Sequence, residues 1–162
     1  MSDNHSLLAH LVPKLTRGVE DAATDALAFI LNGSKPCRDA LVGMLAVGDR
    51  KLEEVAHTKT QVTISNKSRL DLVAYDSAGS ERLIIESKFW APLLAGQAIR
   101  YVRHLSCDGP AMLLFVAPRA RHETLWAKIK QQFKDASDLE LGSEVASRIW
   151  CNSGWGVGSG GH

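Results

Sequence analysis

Two apolar runs separated by a five-residue cluster of turn formers constrain this chain more than any other feature. Leu70-Asp71-Leu72-Val73-Ala74-Tyr75 precedes Asp76-Ser77-Ala78-Gly79-Ser80, and Arg82-Leu83-Ile84-Ile85-Glu86-Ser87-Lys88-Phe89 follows it. The cluster has the composition of a hairpin connection, so the two runs are expected to form adjacent antiparallel strands. Each run carries charge that an apolar strand ordinarily lacks: Asp71 interrupts the first, and Glu86 and Lys88 close the second. Side chains of a strand alternate faces, so Glu86 and Lys88 point the same way. Carrying two carboxylates and an ammonium into a largely apolar sheet costs several kcal/mol or more unless the charges pair or hold a metal.

The rest of the chain supplies the layers around this hairpin. Val19, Ala22, Ala23, Ala26, Leu27, Ile30 and Leu31 mark one face of a helix that Asn32-Gly33 ends. An earlier helix is expected over residues 7–15, disturbed by Pro13, and a further short one over residues 38–46, closed by Gly48. Alternating Thr58, Thr60, Val62 and Ile64 predict a strand within residues 55–65. After the hairpin come a helix over residues 93–105 with Pro92 at its first turn, a buried strand over 111–117, a helix over 121–133 and a last strand over 144–150. This order predicts an α/β fold with a mixed sheet covered on both faces. The length of 162 residues fits one domain, placed at residues 1–150. Residues 151–162, rich in Gly and Ser, read as a flexible tail, in part an expression scar.

Composition narrows the function classes. A formal net charge of +1 gives no overall field that would draw the chain onto nucleic acid, so any such binding must use a local patch. Cys37, Cys107 and Cys151 are odd in number and lack metal-ligand spacing; they read as free thiols of a reducing compartment. The N-terminus has no apolar signal core, and no run reaches about 18 apolar residues. A cytoplasmic protein without a membrane partner is expected. No Gly-x-Gly-x-x-Gly or phosphate-loop motif points to a nucleotide cofactor, and His57, His104 and His122 have no metal or triad spacing.

Asp71, Glu86 and Lys88 are the candidate site. Mg²⁺ takes oxygen ligands and commonly one or two protein carboxylates, so Asp71 and Glu86, with the carbonyl of Ser87, suit Mg²⁺ or Mn²⁺. Lys88 would hold or polarise an attacking water. A structural ion pair at a strand end is the other reading of the same residues.

Asp71 followed by Glu86-Ser87-Lys88 resembles the PD-(D/E)XK nuclease signature, with Leu70 where the Pro would stand. Gln97-Ala98-Ile99-Arg100-Tyr101 is similar to the Gln-x-x-x-Tyr element of RecB-type exonucleases, and Glu20 to the acidic residue on the first core helix of that superfamily. The resemblance implies a restriction-endonuclease-like core (αβββαβ) and a Mg²⁺-dependent phosphodiesterase, a deoxyribonuclease serving phage defence or DNA repair, with a homodimer or partner protein compatible. Asp71, Glu86, Lys88 and Glu20 would be catalytic; Asp71, Glu86 and Ser87 would hold metal. A catalytically inactive nuclease-fold module for nucleic-acid binding or complex assembly is the alternative. Glu20 reads either as a ligand of a second metal or as a solvated helix carboxylate. Gln97 and Tyr101, four apart, share a helix face and would support the site or touch the DNA backbone, unless Tyr101 is simply core. Lys67, Arg69 and Arg100, with Lys59, Arg103 and His104, would contact phosphates or else be solvated charge. Trp90 would stack on a base or pack beside the site.

Overall fold

The structure, a computed structural model, describes residues 18–46, 52–64, 68–105, 109–136 and 149–150. The expected helix at 7–15, Gly48, Lys67, Cys107, Cys151, most of the last expected strand and the tail lie outside them. The elements are α1 (Val19–Gly33), α2 (Lys35–Leu45), β1 (His57–Thr63), β2 (Arg69–Tyr75), β3 (Glu81–Ser87), α3 (Gln97–His104), β4 (Met112–Val116), a 3₁₀ turn (Arg119–Arg121), α4 (His122–Asp135) and the two-residue β5 (Ile149–Trp150).

The sheet is mixed, ordered β1-β2-β3-β4-β5. β1, β2 and β3 pair antiparallel, whereas β3–β4 and β4–β5 pair parallel. The hairpin between β2 and β3 is fixed by Asp76: its Oδ1 accepts from the N–H groups of Ala78 and Ser80, and Gly79 takes φ +87°. β2 and β3 are the innermost strands, with Leu70, Leu72, Val73, Leu83, Ile84 and Ile85 almost wholly buried. Removing the side chain of any one of these costs about 2–5 kcal/mol.

Helices cover both faces. On one, Ala28 and Leu31 of α1 and Leu45 of α2 pack with Leu72, Ala74, Leu83 and Ile85. On the other, Tyr101 of α3 joins Leu70, Val73 and Ile84, while Leu125 and Ile129 of α4 join Ala98 and Phe115. Ala23 and Ile30, expected within the α1 stripe, fall beyond its edge and are exposed.

Two helix starts differ from expectation. α2 begins three residues earlier, at Lys35, because the Ser34 side chain caps it by accepting from Cys37 N–H (3.3 Å) and Pro36 suits its first turn. α3 begins four residues later, at Gln97, and Pro92 lies before it. Gly96 is left-handed (φ 64°), a conformation that cannot continue an α-helix, and Gln97 Oε1 accepts from Leu94 N–H (3.1 Å) to hold the preceding turn. β3 stops at Ser87, before the expected Phe89. Among the described residues, no helix is long and apolar enough to cross a membrane.

Candidate active site

The sheet opens at its centre. The β2–β3 register ends at Leu72↔Ile85, one pair short of Asp71 and Glu86. Beyond that point a side chain replaces the ladder: Ser87 N–H donates to Asp71 Oδ2 (2.8 Å). β3 stays attached to β4 through Glu86↔Phe115 and Ser87↔Val116, and Lys88 N–H donates to the Val116 carbonyl (2.8 Å). β3 thereby stays paired with β4 where its ladder to β2 has ended, and the wedge so left between β2 and β3 carries the charged residues.

Within the wedge Lys88 Nζ donates to Glu86 Oε1 (2.6 Å), as their shared strand face predicts. Both residues are buried, at 5 % and 3 % exposure. Gln97 Nε2 donates to the same Glu86 oxygen (2.8 Å) and to Tyr101 Oη (2.8 Å), and Tyr101 in turn donates to the Arg69 carbonyl (3.1 Å). The i, i+4 spacing on α3 builds this chain of bonds. Both residues are buried and spend these bonds inward, and the Tyr101 ring is also part of the apolar core with Leu70, Val73 and Ile84. Burial pushes the Tyr101 phenol up to about 12, which keeps it a neutral donor.

Glu86 Oε2, by contrast, is buried with no hydrogen-bond partner. Burial, then the Asp71 charge, push the Glu86 carboxyl up to about 7 against the opposing pull of Lys88 and Gln97. Burial also raises the Asp71 carboxyl; the Ser87 N–H and Lys88 oppose this, while the charges of Asp21 and Glu20 add to it. Two carboxylates and one ammonium thus share a partly desolvated space in which negative charge is undercompensated.

The loop after β3 is clamped from two sides. Glu20 Oε1 accepts from the N–H groups of Trp90 (2.8 Å) and Ala91 (3.3 Å). Arg121 donates to the carbonyls of Lys88 (2.8 Å) and Ala91 (3.0 Å). Thr24 on α1 meets Ser87 Oγ (3.1 Å). Glu20 therefore belongs to the site region through its charge on Asp71 and its grip on this loop. Arg121 and Thr24 carry no sequence signal, since a lone Arg after a strand and a Thr inside a helix have many ordinary uses.

The remaining candidates are more dispersed. Arg69 is exposed, with Nη2 3.8 Å from Asp21 Oδ2. Arg100 folds back to the Ala95 carbonyl (2.9 Å). Lys59 lies over the Tyr75 ring, and His57 stacks on that ring. Nε2 of His104 stands 3.0 Å from Glu81 Oε2, outside hydrogen-bond geometry. Trp90 does not pack beside the site: it is 70 % exposed, because its backbone is fixed by Glu20 with the indole outward. Cys37 is an exposed free thiol.

Among the described residues no three His, Cys, Asp or Glu side chains form a cage. The donor set is a pair of carboxylates with one unspent buried oxygen, which suits a hard cation that keeps its own waters. Comparison with models of known families, with curated proteins and with solved structures returns no match for this chain.

Proposed function

We propose that the chain is a metal-dependent nuclease of the PD-(D/E)XK kind, with a restriction-endonuclease-like core, hydrolysing phosphodiester bonds of DNA rather than RNA in DNA repair or phage defence. One observation carries the reading: Glu86, 3 % exposed, has Oε1 held by Lys88 and Gln97 while Oε2 has no partner. A buried carboxylate oxygen left unpaired is costly, and a divalent cation shared with Asp71 would satisfy it and offset the repulsion between the two acids. All the candidate donors are oxygens, with the Ser87 carbonyl added, which favours Mg²⁺ or Mn²⁺.

A bound ion would polarise a phosphoryl oxygen and ease ionisation of water. The chain's own residues do the rest. Ser87 N–H fixes Asp71, and Lys88 with Gln97 fixes Glu86, so both acids are preorganised. Lys88 offers its ammonium to charge growing on the phosphoryl oxygens as the water oxygen bonds to phosphorus and the ester oxygen departs. Arg69, exposed at the start of β2, suits a phosphate contact. The short Lys88–Glu86 pair favours a second reading, in which the pair is structural and the fold is an inactive nucleic-acid-binding or assembly module.

Incubation with labelled single- and double-stranded DNA and RNA, in Mg²⁺, Mn²⁺ or EDTA, separates the two. Cleavage of DNA that needs the ion and is lost in Asp71→Asn supports the nuclease. Nucleic-acid binding without turnover in any metal refutes it and leaves the module.

A further inference from the structure

Gln61 lies in the middle of β1 with φ +56°, the one non-glycine residue at positive φ among the described residues. A long side chain in the left-handed region is held there against its own preference. Its place is specific: pairs Thr60↔Leu72 and Val62↔Leu70 flank it, so Gln61 falls opposite Asp71.

The distortion re-aims the side chain. Thr58 and Thr60 reach α1, at Asn32 and Asp25. Strand alternation would send Gln61 to the other face, with Lys59. Instead Gln61 Nε2 donates to Asp21 Oδ1 on α1 (3.2 Å), and Val62 packs on the opposite face with Leu70 and Val73. Two consecutive side chains, Thr60 and Gln61, thus face α1. Asp21 can only accept, which fixes the amide with NH₂ toward it and the carbonyl oxygen away. That oxygen, Oε1, is buried with no hydrogen-bond partner. Asp21 is itself close enough for its charge to act on Asp71.

We infer that Gln61 is a further oxygen ligand of the Asp71–Glu86 cation site, its Oε1 presented by the strained β1 backbone and its orientation set by Asp21. This rests on the metal-site reading above and extends it to a residue on the edge strand. It gives Glu86 Oε2 and Gln61 Oε1, the two buried side-chain oxygens without a hydrogen-bond partner among the described residues, one occupant, with Asp71 on the strand between them. A neutral amide oxygen adds a ligand without adding a third negative charge to an undercompensated site.

The test is calorimetric titration with Mn²⁺ and thermal melting in EDTA. Gln61→Gly removes the ligand and relieves the backbone, since glycine accepts positive φ freely. It is expected to bind Mn²⁺ roughly ten- to a hundredfold more weakly than wild type, the scale found when a partner of a metal site is lost. Its melting temperature in EDTA should be no lower than that of wild type. A purely structural Gln61 gives the reverse pattern, a lower melting temperature with an unchanged Kd, and overturns the inference. Gln61→Glu keeps an oxygen donor and Gln61→Met keeps the length without one, so Gln61→Glu should hold Mn²⁺ more tightly than Gln61→Met; the reverse order overturns the inference even if the glycine variant fails to fold. Wild type that binds no Mn²⁺ at millimolar concentration fails the metal site itself, and this ligand with it. Gln61-dependent Mn²⁺ binding without any cleavage leaves the ligand standing and fails only the nuclease reading.

Discussion

Glu86→Gln should stabilise the metal-free protein at alkaline pH and have no effect on it at acid pH. The Glu86 carboxyl is pushed from an ordinary 4.5 to about 7, chiefly by burial and then by Asp71. At about 1.4 kcal/mol per tenfold change in proton affinity, this corresponds to roughly 3 kcal/mol. The folded-state value is raised, so the stability contribution is fully present below pH 4.5 and is lost as pH rises through 7. Gln cannot ionise, so it keeps at pH 8 what Glu has lost. The opposing effect is Lys88: depriving a buried ammonium of its anion can cost about 3–5 kcal/mol. The balance goes to stabilisation because the attraction of Lys88 already acts on Glu86 and is outweighed by burial and Asp71. The amide oxygen of Gln can also accept from both Lys88 and Gln97. Urea melts in EDTA from pH 4 to pH 8 measure the gap. It should open from near zero to at most about 3 kcal/mol across the titration of Glu86. With Mn²⁺ the gap narrows: wild type gains RT ln(1 + [metal]/Kd), about 2.7 kcal/mol at a hundredfold excess over Kd, and the variant gains much less. A variant several kcal/mol less stable than wild type at pH 8 refutes the reasoning by showing that the ion pair dominates. Equal metal-induced gains in both proteins would show that Glu86 is not a ligand.

Three further outcomes are expected. Lys88→Ala should fold, as judged by circular dichroism, and lose roughly 10²–10³-fold in cleavage rate, because one preorganised charge at the reacting phosphate is gone; a folded variant with the wild-type rate removes Lys88 from the chemistry. Arg69→Ala should lower the slope of log K against log salt for duplex DNA by about 0.9, the share of one phosphate contact, and an unchanged slope excludes that contact. Gly96→Ala should cost about 1–2 kcal/mol in chemical denaturation, because Ala is strained at the left-handed φ that starts α3; unchanged stability would mean that the turn relaxes.

The parts of the site that were legible in the sequence are those governed by strand periodicity and turn chemistry. The Asp76–Ser80 cluster places β2 beside β3, and period-two alternation places Glu86 and Lys88 on one face. Together these bring Asp71, Glu86 and Lys88 into one wedge. Helical spacing likewise anticipates that Gln97 and Tyr101 act as a pair. The misplaced helix starts have local causes that apolar periodicity does not register. Leu93 and Leu94 continue an apolar pattern, yet Gly96 adopts the left-handed conformation and postpones α3 to Gln97.

What stayed hidden depends on one residue departing from its element's rule. Gln61 is a polar residue in an alternating strand, and alternation assigns it to the face of Lys59. Only the backbone angle at that residue sends it to α1 and leaves Oε1 buried and unpaired. Trp90 is the same case in reverse. An aromatic residue after a buried strand is expected to pack, but Glu20 and Arg121 hold the backbone around it, and the indole meets the neighbouring Phe89 ring (5.8 Å between centroids) while staying 70 % exposed. Gln61 lies opposite Asp71, and Trp90 lies on the loop that follows Glu86 and Lys88. A sheet that opens to admit charge must satisfy its freed backbone and side-chain groups by irregular means. The rules that make the rest of the chain readable therefore fail where the β2–β3 ladder ends.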